Sequence, residues 1–178
     1  MALPAFRYHP DPVASGSLVE SQRACRCCGK PRGHLYTGPV YCEEDLDDAL
    51  CPWCIADGSA QTKFGATFVD SEAFPDGAPG QAVDEIAERT PGFNSWQSER
   101  WPCCCGDAAA FLRPAGIQEL REQQELEGLA LNHIIYEMGI SGGAARRLLE
   151  SLHRNTGPAA YLFQCLHCRQ YLFHIDYL

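Results

Sequence analysis

The chain has 178 residues, enough for one good core or for two small cores that lean on metal ions. Hydrophobic residues make up 46% and aromatics 10%, which excludes a disordered tail. Lysine and arginine total 14 against 23 acidic residues, and the resulting net charge of −9 repels a phosphate backbone and disfavours wholesale nucleic-acid binding.

The first 24 residues open with MALPAFRYHPDPVASG. Neither this stretch nor any later one holds an apolar run long enough for a signal peptide or a membrane span, so cytoplasmic residence is the expectation. Pro4, Pro10 and Pro12 exclude a helix and predict an extended arm, with Phe6 and Tyr8 turned toward the core. His9 lacks a short-range metal-binding companion and reads as a ligand only in second place. Eleven cysteines in a reducing compartment read as metal ligands or functional thiols before disulfides.

Residues 25–54 hold two Cys-x-x-Cys pairs, Cys25 with Cys28 and Cys51 with Cys54. Two such pairs can close a tetrahedron of thiolates around zinc with no open position, which makes the ion a staple. Gly29 suits the tight turn of a zinc knuckle, where positive φ is wanted. LYTGPVY, residues 35–41, predicts a short hairpin about Gly38-Pro39, and Pro52 can open a helix. The layout is zinc-ribbon or treble-clef-like. Cys27 and Cys42 read as small buried residues. EEDLDDAL places five acids within 43–48, an acidic helical turn facing water rather than a divalent-cation loop.

Asp57-Gly58 ends the short helix, and FGATFVD alternates enough to be a strand. FPDGAPGQ, residues 74–81, reads as a linker between an arm-plus-zinc unit at 1–73 and an α+β unit at 82–178, although the two could pack as one domain. AVDEIAERT predicts an amphipathic helix stopped by Pro91. Phe93, Trp96 and Trp101 in TPGFNSWQSERW read as core packing ahead of an aromatic platform. From Pro114 to Arg154 the pattern is helical. Ile117, Leu120 and Gln124 share one face, Leu129, His133 and Tyr136 another, and Ser141 caps a third helix with Leu148, Leu149 and Leu152 as its buried stripe. His133 and His153 are not read as ligands. Arg146, Arg147 and Arg154 fall close together in sequence and leave room for a local basic patch.

The chain finishes with YLFQCLHCRQYLFHIDYL, which places Cys165 and Cys168 at the tip of a hairpin with strands near 160–164 and 170–176. The remaining partners lie in CCCGD, where Cys103 with Cys105, or Cys104 with Cys105, could complete a second zinc site. The preferred set is Cys104, Cys105, Cys165 and Cys168. If only one cysteine of the run contributes, Asp107, His167 or water would finish the shell, and an open position would allow chemistry. Eight thiolates and two dications would take the net charge from −9 to −13. A redox reading of Cys51-Pro52-Trp53-Cys54 lacks the buried strand of a βαβ frame before it.

FRYHPDP, CRCCG, YTGPVY, LCPWCIADGSA, TPGFNSWQSERW and CGDAAAFL, in that order, resemble the CbrC family of small bacterial proteins over roughly residues 4–112, with the terminal hairpin a weaker match. The resemblance implies the cysteine pairs Cys25, Cys28, Cys51 and Cys54, and colicin tolerance as a phenotype, with no catalytic residues to carry over. Cys104 stands where the family pattern has a histidine, and Ala109 stands near a further expected cysteine. The stretch 114–156 lies outside the resemblance and could set a partner preference.

The sequence thus predicts an α+β protein: a zinc-ribbon/treble-clef-like N-terminal unit, a helical segment and a C-terminal zinc-knuckle β-hairpin. The leading expectation is a cytoplasmic interaction or adaptor protein held by structural zinc and serving an unknown protein partner. The rival is a zinc-dependent hydrolase with an open second site. No catalytic or organic cofactor-binding residue is assigned.

Overall fold

The computed structural model describes residues 2–97 and 99–177, together with the backbone but not the side chain of Gln124. Its architecture is mixed α+β with three small antiparallel sheets. The proline-rich arm has no regular structure, as expected, yet it lies across the body: Phe6 and Tyr8 are buried, and the Phe111 N–H donates to the Tyr8 carbonyl at 2.8 Å. His9, expected to alternate outward, is fully buried as well.

The first hairpin differs from the one anticipated at 35–41. Strand β1 (Leu18–Ala24) pairs with β2 (Pro31–Tyr36), from Leu18 opposite Tyr36 to Ala24 opposite Pro31, and the first Cys-x-x-Cys is its tip. β1 escaped notice because LVESQRA buries little beyond Leu18, so packing leaves almost no imprint on it. Gly38-Pro39 does turn the chain, but Tyr41 then bridges Thr67 instead of returning along β2. Tyr36 is the reason. Its fully buried hydroxyl donates to the Pro39 carbonyl at 3.0 Å and accepts the Gly92 N–H at 3.0 Å. A Cβ on Gly92 would run into the Phe68 carbonyl oxygen, so only glycine permits this approach.

The acidic stretch 43–48 forms bends and turns rather than a helical turn, with its five acids exposed and Leu46 buried. Helix α1 (Pro52–Ala56) has its proline in the first turn as expected, and Asp57 is its C-cap. α2 (Ser59–Phe64) follows, flanked by Gly58 and Gly65 at positive φ. FGATFVD is not a strand: Ala66, Phe68 and Val69 are buried by the core without a ladder partner beyond the single Thr67 bridge. α3 (Gly80–Arg89) is the amphipathic helix anticipated, burying Ala82, Ile86 and Ala87.

A two-residue ladder joins β3 (Cys103–Cys104) to β4 (Asp107–Ala108). β5 (Ala110–Ala115), β6 (Ala159–Gln164) and β7 (Tyr171–Asp176) form a sheet in that order. β5 runs two residues into the stretch expected to be helical from Pro114. As an edge strand it tolerates a proline, which has no N–H to give a ladder. Three helices intervene between β5 and β6: α4 (Ile117–Arg121), α5 (Gln124–Tyr136) and α6 (Gly142–Ser151). The buried stripe of α5 is Leu126, Ala130 and Ile134, while Leu129 and His133 are half-buried and Tyr136 is 78% exposed. Ser141 is the N-cap of α6 without a side-chain hydrogen bond, and Leu149 and Leu152 are buried with Leu148 partly so. Phe93 and Trp101 belong to the aromatic core, with Phe93 stacked on Phe111 at 4.2 Å, whereas Trp96 is 45% exposed.

The two cysteine hairpins share one turn. In the first, Cys25 N–H donates to the Lys30 carbonyl at 3.1 Å and Gly29 N–H to the Cys25 carbonyl at 2.7 Å. In the second, Cys165 N–H donates to Gln170 at 2.9 Å and Arg169 N–H to Cys165 at 3.2 Å. Both turns need positive φ one residue past the second cysteine, +70° at Gly29 and +64° at Arg169. A side chain at such φ costs roughly 1–2 kcal/mol. Urea unfolding of the metal-loaded protein is therefore expected to show Arg169→Gly more stable and Gly29→Ala less stable than the natural chain, each by about 1 kcal/mol. Equal stability of all three would contradict the shared turn.

Candidate metal centres

Cys25 and Cys28 come from the turn between β1 and β2, and Cys51 and Cys54 from the start of α1, where Pro52 sets the helix so that both sulfurs face that turn. The four Sγ atoms lie within 4.8 Å of one another. Sulfurs about 2.3 Å from a tetrahedral zinc stand about 3.8 Å apart. Here Cys25 to Cys54 is 3.9 Å, Cys28 to Cys51 is 3.9 Å and Cys51 to Cys54 is 3.5 Å. A disulfide requires about 2.05 Å, and all eleven cysteines are free. The donor set therefore suits a thiophilic ion.

Ionisation favours the same conclusion. A hydrogen bond from the Cys51 thiol, helped by backbone N–H groups of Cys28, Cys51 and Cys27, brings the Cys25 thiol down to about 4. The Cys51 N–H donates to Cys25 Sγ at 3.2 Å. The same thiol contact, with burial, pushes Cys51 up, and burial pushes Cys54 to about 12. One thiolate is accommodated and further ones are resisted, which a dication at the centre reverses. Arg32 hydrogen-bonds Cys28 and lies 5.4 Å from the Trp53 ring centroid, placing a cation beside the thiolates.

The second group joins the tip of the β3–β4 hairpin to the tip of the β6–β7 hairpin. Cys104, Cys105, Cys165 and Cys168 place their sulfurs within 4.8 Å of one another, with Cys104 3.7 Å from both Cys105 and Cys168. Adjacent residues of a strand point to opposite faces. Cys105 escapes this rule because its φ of +55° ends the strand and swings its side chain to the side of Cys104. The Cys168 and His167 backbone N–H groups bring Cys165 down to about 6, while its hydrogen bond to Cys165 pushes Cys104 up to about 12. Cys105 and Cys168 are exposed, whereas Cys25, Cys51 and Cys54 are buried.

The other sulfur and oxygen candidates lie elsewhere. Cys27 donates weakly to Ser59 Oγ at 3.6 Å, Cys42 donates to the Glu44 carbonyl at 3.0 Å, and Cys103 sits in β3 outside either group. Asp107 does not complete the second group. Its carboxylate accepts from Tyr8 Oη at 2.8 Å and the Ala108 N–H at 2.9 Å, pairs with Arg7 at 2.5 Å, and lies 3.0 Å from His167 Nε2. Burial works against its charge, yet the bonds from Tyr8 and His167 hold it below the usual carboxylate range. Asp107 and His167 thus brace the hairpin tips against the arm, which leaves a water-completed shell without its candidate residues. Spacing gave no sign of Arg7 or Tyr8 in these roles, because both lie about a hundred residues from Asp107, and none of Arg32, which stands only four residues past Cys28 but carries no ligand signal.

Native mass spectrometry is expected to count two zinc ions on the natural chain and one on the Cys165→Ser/Cys168→Ser variant. A chelator should strip the exposed group first, giving biphasic release. An unchanged count in the double variant would remove the second site.

Among curated proteins, the chain is 45% identical over 177 residues to a UPF0167 protein of Mycobacterium bovis and to one of Mycobacterium tuberculosis, covering 98% of this chain and 94% of each relative. A UPF0167 protein of Pseudomonas aeruginosa is also 45% identical over 177 residues, covering 98% of this chain and 97% of the relative. No solved structure matches. Residues 3–177 match the group described as "Uncharacterised protein family (UPF0167)", and the chain belongs to that family.

Proposed function

We propose that this is a cytoplasmic interaction protein whose two tetrathiolate zinc ions are structural. The observation that carries the reading is the closed donor set: each group offers four sulfurs at tetrahedral spacing and so needs no water to complete an ion. On this reading the N-terminal unit is of the zinc-ribbon or treble-clef type and the C-terminal hairpin is a zinc knuckle. Eleven free thiols suit a reducing compartment. Among the described residues no helix is long and apolar enough to cross a membrane. The acidic balance favours a protein partner over nucleic acid.

Tyr136 on α5 is 78% exposed beside a groove of about 410 Å³ shared with β7, and it offers an aromatic contact to such a partner. The CbrC likeness extends the proposal to colicin tolerance as a phenotype, exerted through the partner and not through chemistry at a metal ion.

An affinity capture with the intact protein, Tyr136→Ser and Cys51→Ser tests this. Tyr136→Ser should keep both ions and unfold within about 0.5 kcal/mol of the natural protein, yet lose the partner. Cys51→Ser should lose the first ion, the fold and the partner together. A partner held equally by all three proteins, or hydrolysis that tracks occupancy of the second metal group, would contradict the proposal.

A further inference from the structure

Two motifs that the cysteine groups do not use, FRYHPDP and TPGFNSWQSERW, meet behind a cleft of about 350 Å³. Its lining includes Ser15, Phe111, Trp96, Arg154, Asn155 and Tyr161, and no cysteine. His9 is fully buried and is not part of the lining; it meets the cleft through Ser15 and Phe111, which are. Its Nδ1 is 2.7 Å from the Pro91 carbonyl oxygen, and its Nε2 is 2.7 Å from Ser15 Oγ. A carbonyl can only accept, so Nδ1 carries the ring proton and Nε2 presents its lone pair to the Ser15 hydroxyl, whose other acceptors, the Pro12 carbonyl at 3.2 Å and Ser17 Oγ at 3.4 Å, stand farther off. The Phe111 ring meets the imidazole edge-on at 4.9 Å and fixes its plane. Burial lowers the His9 pKa from 6.5 to about 4, which keeps the resting ring neutral and makes it a weaker base than a free imidazole.

A hydroxyl donating to a neutral imidazole, itself oriented by an acceptor on its other nitrogen, is the arrangement that activates a serine. Ser15 is half-buried and lines the cleft, so its oxygen is reachable. Arg154 donates through Nη2 to the Ala14 carbonyl at 3.1 Å, which holds a guanidinium on the cleft wall next to the serine turn. Trp96 and Tyr161 add aromatic surface, and the Tyr161 hydroxyl accepts the Trp96 N–H at 2.9 Å.

We propose that this cleft is a serine acyl-transfer site, with Ser15 as nucleophile, His9 as general base and the Pro91 carbonyl as its positioning group, acting on small esters whose acyl part carries a carboxylate for Arg154. Ser15 Oγ bonds to the acyl carbon as its proton passes to His9 Nε2. The imidazolium returns that proton to the oxygen of the departing alcohol as the ester C–O bond breaks. Water, deprotonated by the same nitrogen, then attacks the acyl-serine, releasing a carboxylic acid and restoring the hydroxyl. No metal ion enters the step, so the site goes beyond the structural-zinc reading and stands or falls separately from it.

The test treats the full-length, metal-loaded protein with a fluorophosphonate probe and maps the adduct by peptide mass spectrometry. It also follows release of p-nitrophenol from p-nitrophenyl hemisuccinate and p-nitrophenyl acetate. A single adduct on Ser15 is expected, absent from Ser15→Ala, with ester turnover falling about 100-fold or more in that variant. Arg154→Met should lower the preference for the succinyl over the acetyl ester by roughly 10- to 100-fold, the worth of one charged hydrogen bond. Absence of an adduct on Ser15 in the natural protein, with its circular dichroism and zinc count intact, would overturn the proposal. So would a folded Ser15→Ala variant that hydrolyses both esters at the natural rate.

Discussion

Four sulfurs that face one another across less than 5 Å cannot all carry charge unless a cation sits among them. That constraint is met twice in this chain, and the rest of the architecture is arranged to impose it. Each group takes two sulfurs from a hairpin turn and two from a separate element, α1 in the first case and the β3–β4 tip in the second. An ion at either place joins segments far apart in sequence. A structural zinc contributes on the order of 10–16 kcal/mol in small metallo-domains, against a net stability of about 5–15 kcal/mol for a whole domain. On the reading proposed above, the sulfur–metal bonds are therefore comparable with everything else that holds the fold.

The two groups are built alike and protected differently. The cysteine turn repeats down to its backbone hydrogen bonds and its positive φ, with glycine in one copy and arginine in the other. The first group is sealed by Leu35, Leu50 and Ile55 in its hydrophobic cluster and has Arg32 beside it. The second projects Cys105 and Cys168 into solvent, and its neighbouring polar contacts brace elements against each other, with Asp107 tying Arg7 and Tyr8 of the arm to His167 of the hairpin. The arm is thus more than a leader. Through His9 it also reaches Pro91 and Ser15, so one short segment is fastened at several points.

Sequence patterning revealed the parts whose chemistry is local. Cys-x-x-Cys spacing pointed to both groups, and the run of apolar residues around Cys165 and Cys168 placed the terminal hairpin within a residue of β6 and β7. Pro52 and Ser141 marked helix starts that exist. What stayed hidden depends on partners distant in the chain. β1 is largely solvent-facing and so carries no alternation to read, and FGATFVD alternates yet is absorbed by core packing with no strand to pair with. β5 was concealed by Pro114, which an edge position tolerates. The choice of Cys104 with Cys105 turns on a backbone conformation at Cys105 that no spacing rule expresses. Ser15 gave no signal at all, since its significance comes from the fold of the arm around His9.

The central claim is that each ion is enclosed by sulfur alone. X-ray absorption at the zinc edge of the purified, unstripped protein measures this directly. Four sulfur neighbours per ion at about 2.3 Å, with no nitrogen or oxygen shell, is the result the account predicts. A fitted shell containing a light-atom ligand, or protein that folds normally with no metal to absorb at that edge, would contradict it.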